Sequence, residues 1–133
     1  MSQPASPREV AESLSKRFRN RSWAELSELY DENAVVEHPF ALPQPMRTEG
    51  RAALHERFLS APTRPFEMSW SAEVIYQTDD PEVVIMQYDS TLTAKEGGKT
   101  VTGANLLVIR VRDGRIVHSV DFHNHAAFAT LME

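Results

Sequence analysis

The residues best equipped for chemistry stand close together near the C-terminal end of this 133-residue chain: Asp121, His123 and His125, at every second position. A carboxylate and an imidazole two residues apart are the minimum equipment for proton transfer, since one group can take a proton while the other holds or returns it. Side chains of a strand repeat every two residues. A strand here therefore puts Val117, Ser119, Asp121 and His123 on one face, and Ile116, His118, Val120 and Phe122 on the other. Asp121 is read as the centre of a site, with an ordinary strand-end aspartate, paired to a base or capping the next helix, as the alternative. The two histidines and the aspartate are also the ligand types of a non-haem iron centre. Three consecutive ligands on a flat strand splay too far to share an ion. Asn124, a good N-cap for the apolar helix holding Ala126, Ala127, Phe128 and Leu131, would turn His125 away as well. No metal is expected.

Other polar residues are open to two readings each. His38 stands before Pro39 at the end of a short strand, and its ordinary pKa of about 6.5 suits proton transfer near neutrality. It could equally be a satisfied residue bonded to the loop. Gln87 and Asp89 share a strand face with Val83 and Ile85, where they could position a substrate or form a buried hydrogen-bond network, and Asn105 is a similar case. His123 could orient a substrate beside Asp121. Trp23, Tyr30, Phe40, Phe58, Phe66 and Trp70 could wall a pocket or simply build the core, with Phe40 gating the mouth.

These residues need elements to position them. Residues 1–6 read as a disordered lead, and 7–133 as a single domain. Ser6, Pro7 and Glu9 occupy the N-cap, N1 and N3 positions of a first helix, whose apolar face is Val10, Leu14 and Phe18. Ser22 is expected to cap a second helix that ends at residues 31–33. A short strand at 34–38 then runs into a proline-rich loop, 39–45, and a third helix at 51–60 carries Ala53, Leu54, Arg57 and Phe58 on one face. Long strands follow at 67–77, 82–94 and 100–112 before the opening stretch. Its Asp113-Gly114 is the strongest short hairpin signal in the chain. Assuming a plain two-residue turn, Asp121 pairs with Leu106. Three helices and then a meander of strands make an α+β fold, a curved antiparallel sheet wrapped on helices around a cone-shaped pocket. Val84, Met86, Tyr88 and Leu92 would form an outer sheet face suited to a homodimer.

Composition narrows the classes. A hydrophobic fraction of 41% with 25% charge is ordinary for a globular protein, and the net charge of −5 argues against a nucleic-acid partner. There is no cysteine, hence no thiolate chemistry. No apolar run reaches the ~20 residues of a membrane span, and residues 1–7 are too polar for a signal peptide, so a cytoplasmic protein is expected.

Several strings carry a resemblance: residues 30–40 (YDENAVVEHPF), Glu49-Gly50-Arg51, residues 111–117 (VRDGRIV), and Ser119-Val120-Asp121-Phe122-His123. Their order resembles the nuclear transport factor 2-like superfamily, with its ketosteroid isomerases, SnoaL-like polyketide cyclases and limonene epoxide hydrolases. The resemblance implies a small hydrophobic ligand, no cofactor and, commonly, a homodimer. Asp121 falls on the acid/base aspartate of SnoaL-like cyclases, and His38 on the catalytic aspartate of ketosteroid isomerase. The isomerase's oxyanion tyrosine falls near Leu14 and its second aspartate on Leu106 or Leu107, so both donors are replaced. The epoxide hydrolase's Arg-x-Asp becomes Gln87-Tyr88-Asp89, without the arginine. The resemblance thus implies acid/base proton transfer on a hydrophobic carbonyl compound by Asp121 and His38, of isomerase, cyclase or dehydratase type. Substrate would be positioned by His123, Asp89, Gln87, Asn105, Phe40, Trp23 and Tyr30. A non-catalytic ligand-binding module is the first alternative, and epoxide hydrolysis the second.

Overall fold

A computed structural model describes residues 3–132. The chain opens with α1 (Pro7–Arg19), started by a complete capping box: Ser6 Oγ accepts from the Glu9 N–H, and the Glu9 carboxylate accepts from the Ser6 N–H. Residues 3–5 carry no regular secondary structure, and Met1 and Ser2, the start of the expected lead, lie outside the described residues. Val10 and Leu14 point into the core. The second helix is shorter than expected. α2 (Trp23–Leu26) tightens at once into a 3-10 turn, Ser27–Leu29, and the Ser22 side chain makes no cap bond.

Six strands follow: β1 (Tyr30–His38), β2 (Met46–Glu49), β3 (Phe66–Gln77), β4 (Val83–Ala94), β5 (Thr100–Arg112) and β6 (Arg115–Phe122). α3 (Arg51–Leu59) lies between β2 and β3, and α4 (His125–Ala129) follows β6. Residues 31–33, expected to end a helix, begin β1 instead, and β2 was not foreseen. The sheet order is β2-β1-β6-β5-β4-β3. β3 to β6 form the expected antiparallel meander, whereas β1 runs parallel to β6, its distant neighbour in sequence. A bulge between Ser71 and Val74, with Ala72 at φ 53°, bends β3 and helps curl the sheet over the helices. The helices fill the concave side, where the core joins Val10, Leu14, Leu26, Leu54, Met86 and Ile109. No helix among the described residues is long and apolar enough to cross a membrane.

Asp113 and Gly114 adopt φ 53° and 79°, the two left-handed residues of a tight hairpin turn, which explains the glycine. Beyond the turn the register slips. Val111 pairs with Ile116 but Arg110 pairs with His118, so Val117 is the extra residue of a bulge. Asp121 therefore pairs with Leu107 rather than Leu106, and Ile116 joins the inward side with Ser119 and Asp121.

The face assignment of β4 is also corrected. Val84, Met86, Tyr88 and Leu92 are 0–3% exposed and belong to the interior, not to an outer dimer surface. Gln87 and Asp89 alternate with them and lie on the convex face, Gln87 opposite Leu106 and Asp89 opposite Ala104. Both faces of β4 carry apolar residues, so alternation sorted the side chains into two sets without saying which set was inside.

Candidate functional site

Between the concave sheet and the helices lies a cavity of about 110 Å³, roughly the scale of the apolar cavity that admits a benzene ring. Its walls are mostly apolar and aromatic. Phe18 stacks on Trp70 with ring centres 4.4 Å apart, and Trp70 stacks on Tyr88 at 3.9 Å. Trp23 meets Phe18 edge-on, and Tyr30 leans on Phe58. Trp23 and Tyr30, expected near a substrate, both line this space.

Asp121 reaches the cavity from β6, and it is the one carboxylate among the described lining residues. Its row across the sheet is Leu107 on β5 and then Met86 on β4, both buried apolar side chains. Taking a carboxylate out of water favours the neutral acid, and burial pushes the Asp121 pKa up to about 6. A hydrogen bond from Ser119 Oγ opposes that rise, as do the charge of Arg57 and, less strongly, the neighbouring His118. The carboxylate in turn raises the pKa of Tyr30 and Tyr88 beyond the effect of their own burial.

His38 lines the same cavity from the end of β1 and is only 4% exposed. Parallel pairing of β1 with β6 brings it there, with Glu37 beside Val120 facing the other way. Burial first, then Arg57 and the neighbouring histidines, lowers the His38 pKa to about 3. The ring is therefore neutral at ordinary pH but only weakly basic, which disfavours the role of a second base and leaves that of a hydrogen-bond donor. Its Nδ1 is buried without a partner among the described residues. His123 is neutral for the same reason, its pKa lowered to about 4 by burial and then by His125, Arg57 and Arg64.

Arg57 and Arg64 are functional candidates that sequence reasoning passed over. Arg57 comes from α3, one turn after Leu54, and donates to Thr48 Oγ1 at 3.0 Å. Both arginines line the cavity, and both also line a second, outer chamber of about 330 Å³, as do Tyr88 and His123. These four residues form the boundary between the two spaces. A helix thus brings a cation to the cavity, whereas β4 carries Gln87 in place of the epoxide hydrolase's arginine. A signal existed: Arg57 shares a helix face with Leu54 and Phe58, where a charge needs a reason to be.

Four expected site residues lie elsewhere. Gln87 and Asp89 are on the convex face, as the alternation of β4 requires, so the cavity has no second carboxylate from β4. That removes the two-carboxylate arrangement on which epoxide hydrolysis rests. Asn105 is buried in a structural network instead: its Nδ2 donates to Ser90 Oγ at 2.8 Å, and its Oδ1 accepts from the Asn124 N–H at 2.9 Å. It holds the chain just after His123. Phe40 is 61% exposed, packs on Phe122 and borders a shallow outer depression with Leu42 and Asn124 rather than the cavity.

Asn124 caps α4 through the Ala127 N–H, as expected. The consequence for His125 differs from expectation. Its N–H donates to the His123 carbonyl at 2.8 Å, a tight turn that folds the His125 ring back beside His123. Gly103 lets α4 approach this closely, since a Cβ there would stand 3.0 Å from Asn124 Cβ and 3.1 Å from Phe128. The result is a cluster of His38, His123 and His125, with His38 in the place where Asp121 was considered as a ligand. Among the described residues, these three are the ones grouped so that they could hold a metal.

A family profile described as a SnoaL-like domain matches residues 10–119. The uncharacterized protein YesE of Bacillus subtilis strain 168 is 36% identical over 106 residues, spanning 78% of this chain and 69% of YesE. A Bacillus subtilis crystal structure provisionally named an isomerase superposes with a TM-score of 0.80 at 29% identity, covering 92% of both chains. A Pseudomonas putida KT2440 protein provisionally named a polyketide cyclase superposes at 0.79 with 15% identity, over 96% of this chain and 98% of that one, a likeness of fold alone. By its profile, this chain belongs to the SnoaL-like family, and its fold is that of nuclear transport factor 2-like proteins.

Proposed function

We propose that the protein catalyses acid/base proton transfer on a small hydrophobic carbonyl compound, with Asp121 as the group that takes and returns the proton. The observation that carries this reading is the placement of a lone carboxylate on the wall of an otherwise apolar and aromatic cavity, with a cation, Arg57, close enough to act on it. A base there needs a carbon acid whose anion can be stabilised. Arg57 and Arg64 supply positive charge, neutral His38 a ring N–H, and Trp70 a buried Nε1–H that has no partner among the described residues. Enolate charge developing on a carbonyl oxygen would find such donors already oriented. Asp121 would remove the proton α to the carbonyl and deliver it to another carbon, the balance of an isomerisation. In a cyclisation the carbanion would instead attack a second carbonyl carbon of the same molecule, opening its C=O π bond, and Asp121 would return the proton to the resulting alkoxide. No cofactor is needed for either course. The provisional isomerase and polyketide cyclase names of structural neighbours are compatible with this reaction class.

A homodimer through the convex sheet face belongs to the same proposal. Tyr76, Ile85, Val108 and Val120 form one row there, in place of the buried residues first considered.

The test is deuterium uptake from D2O at the α-carbon of small enolisable aromatic ketones and β-dicarbonyl compounds, followed by proton NMR. Wild type should accelerate exchange for at least one compound, and Asp121→Asn should lower that rate ~10²–10⁴-fold. Equal exchange by wild type and variant would remove Asp121 from the reaction. Tight binding with no exchange would favour a non-catalytic ligand-binding module.

A further inference from the structure

We propose that His38, His123 and His125 form a binding site for a divalent transition-metal ion of the zinc class. The three rings come from separate local structures: the end of β1, the residue after β6 and the first turn of α4. One ligand nitrogen of each lies within 4.8 Å of the others. Ring centres are 5.4 Å apart for His38 and His123, 5.7 Å for His123 and His125, and 6.4 Å for His38 and His125. A tetrahedral ion with metal–nitrogen bonds of ~2.0–2.1 Å sets ring centres roughly 5.2 Å apart. Two of the three separations are within half an ångström of that value. The third closes if the His125 ring swings by about 1 Å, the sort of side-chain adjustment a binding residue commonly makes.

A second observation points to a ligand. His38 Nδ1 and His125 Nε2 are buried and have no hydrogen-bond partner among the described residues. Buried polar nitrogens are nearly always paired, because desolvation without a partner is costly. Two orphans in one cluster are accounted for if both are donors to an ion. Nitrogen donors alone suit zinc, copper, nickel or cobalt and exclude the oxygen-seeking calcium and magnesium. Metal on His38 Nδ1 would also fix its proton on Nε2, compatible with the donor role proposed for that ring.

Three neutral imidazoles leave the ion its full charge, and three protein ligands leave a coordination position open. His123 shares both chambers with Arg57 and Arg64. Those cations oppose a bare dication, so the open position should be filled by an anionic oxygen ligand or hydroxide. The site thus takes a zinc-class ion together with a small anion. Its readout is binding, which stands apart from whether Asp121 turns over a carbonyl compound.

The test uses the full chain, stripped with a chelator and titrated with Zn²⁺ by calorimetry and with Co²⁺ by visible absorption. One ion per chain is expected, with the intense absorption of four-coordinate cobalt. His38→Ala, His123→Ala and His125→Ala should each weaken binding more than ~10-fold, since disturbing even a supporting group of a metal site costs that much. His55→Ala and His118→Ala, outside the cluster, should leave it unchanged. His125 is the safest substitution because it opens a short surface helix, and circular dichroism will verify each fold. No binding by wild type would overturn the proposal. Binding kept within threefold in folded His125→Ala and His123→Ala would do the same, as would binding lost in His118→Ala.

Discussion

Replacing Asp121 by asparagine should stabilise the protein, and by an amount that depends on pH in a defined way. The carboxyl pKa is about 6 in the folded chain against an ordinary 3.8, because burial opposes its ionisation. Between these values the folded state binds the extra proton. Stability therefore falls as pH rises through this window, is unaffected below about pH 3, and carries the full cost above about pH 7. Holding the carboxyl that far above its ordinary value corresponds to ~3 kcal/mol. Part of the side chain keeps contact with the cavity, so ~2 kcal/mol is the better figure, or about 1 M in urea midpoint for a typical slope. Asparagine keeps the shape and an oxygen able to accept from Ser119 Oγ, but it cannot ionise. Urea unfolding of both proteins from pH 3 to 8 should give nearly equal midpoints at the acid end and a growing advantage for Asp121→Asn towards pH 7. The depressed histidines of the cluster titrate in both proteins and largely cancel in the difference. An advantage that does not change with pH would refute the reasoning, since it would place the carboxylate in water.

Two other substitutions test the supporting shell. Arg57→Met should raise the Asp121 pKa further, read by carbon-detected NMR titration, because the guanidinium opposes the effect of burial; an unchanged value would show the two groups to be uncoupled. Asn105→Ala should cost ~1–3 kcal/mol in urea unfolding, since it strands Ser90 Oγ and the Asn124 N–H in the interior. The loss should extend to the site, with chemical-shift changes concentrated at His123 and His125; shifts confined to β4 would contradict its role in holding the turn.

Much of this was legible because local chemistry and global fold agree. The capping box at Ser6 and Glu9 and the left-handed turn at Asp113 and Gly114 are short-range rules, and the structure obeys both. Asp121 came out facing inward for a less secure reason. The bulge at Val117 moved its partner from Leu106 to Leu107, but it lies on the turn side of Ser119, so the alternation Ser119, Asp121, His123 survived. Other features left no readable trace. Met46–Glu49 is a short, largely exposed edge strand, without the apolar alternation that marks a half-buried one. Ser22 has the right residue type for a cap but not the geometry, and tertiary packing starts β1 at Tyr30 instead. Gln87 and Asp89 were misplaced because β4 is apolar on both faces. The histidine cluster depended on a backbone turn at residues 123–125 and on a partner 85 positions earlier, and neither is encoded in the spacing of Asp121, His123 and His125.

The parallel pairing of β1 with β6 has a kinetic consequence. His38 and Asp121 meet only when the first strand docks on the last, through contacts such as Val36 with Ser119 and Glu37 with Val120. Contacts of such long sequence separation form against a large loop-closure entropy and tend to arrive late in folding. The meander of β3 to β6, joined by short turns, can form from near-neighbour contacts alone. A nascent or partly folded chain would thus own a sheet before it owned a site, and ligand affinity would appear in the last step of folding rather than grow with secondary structure.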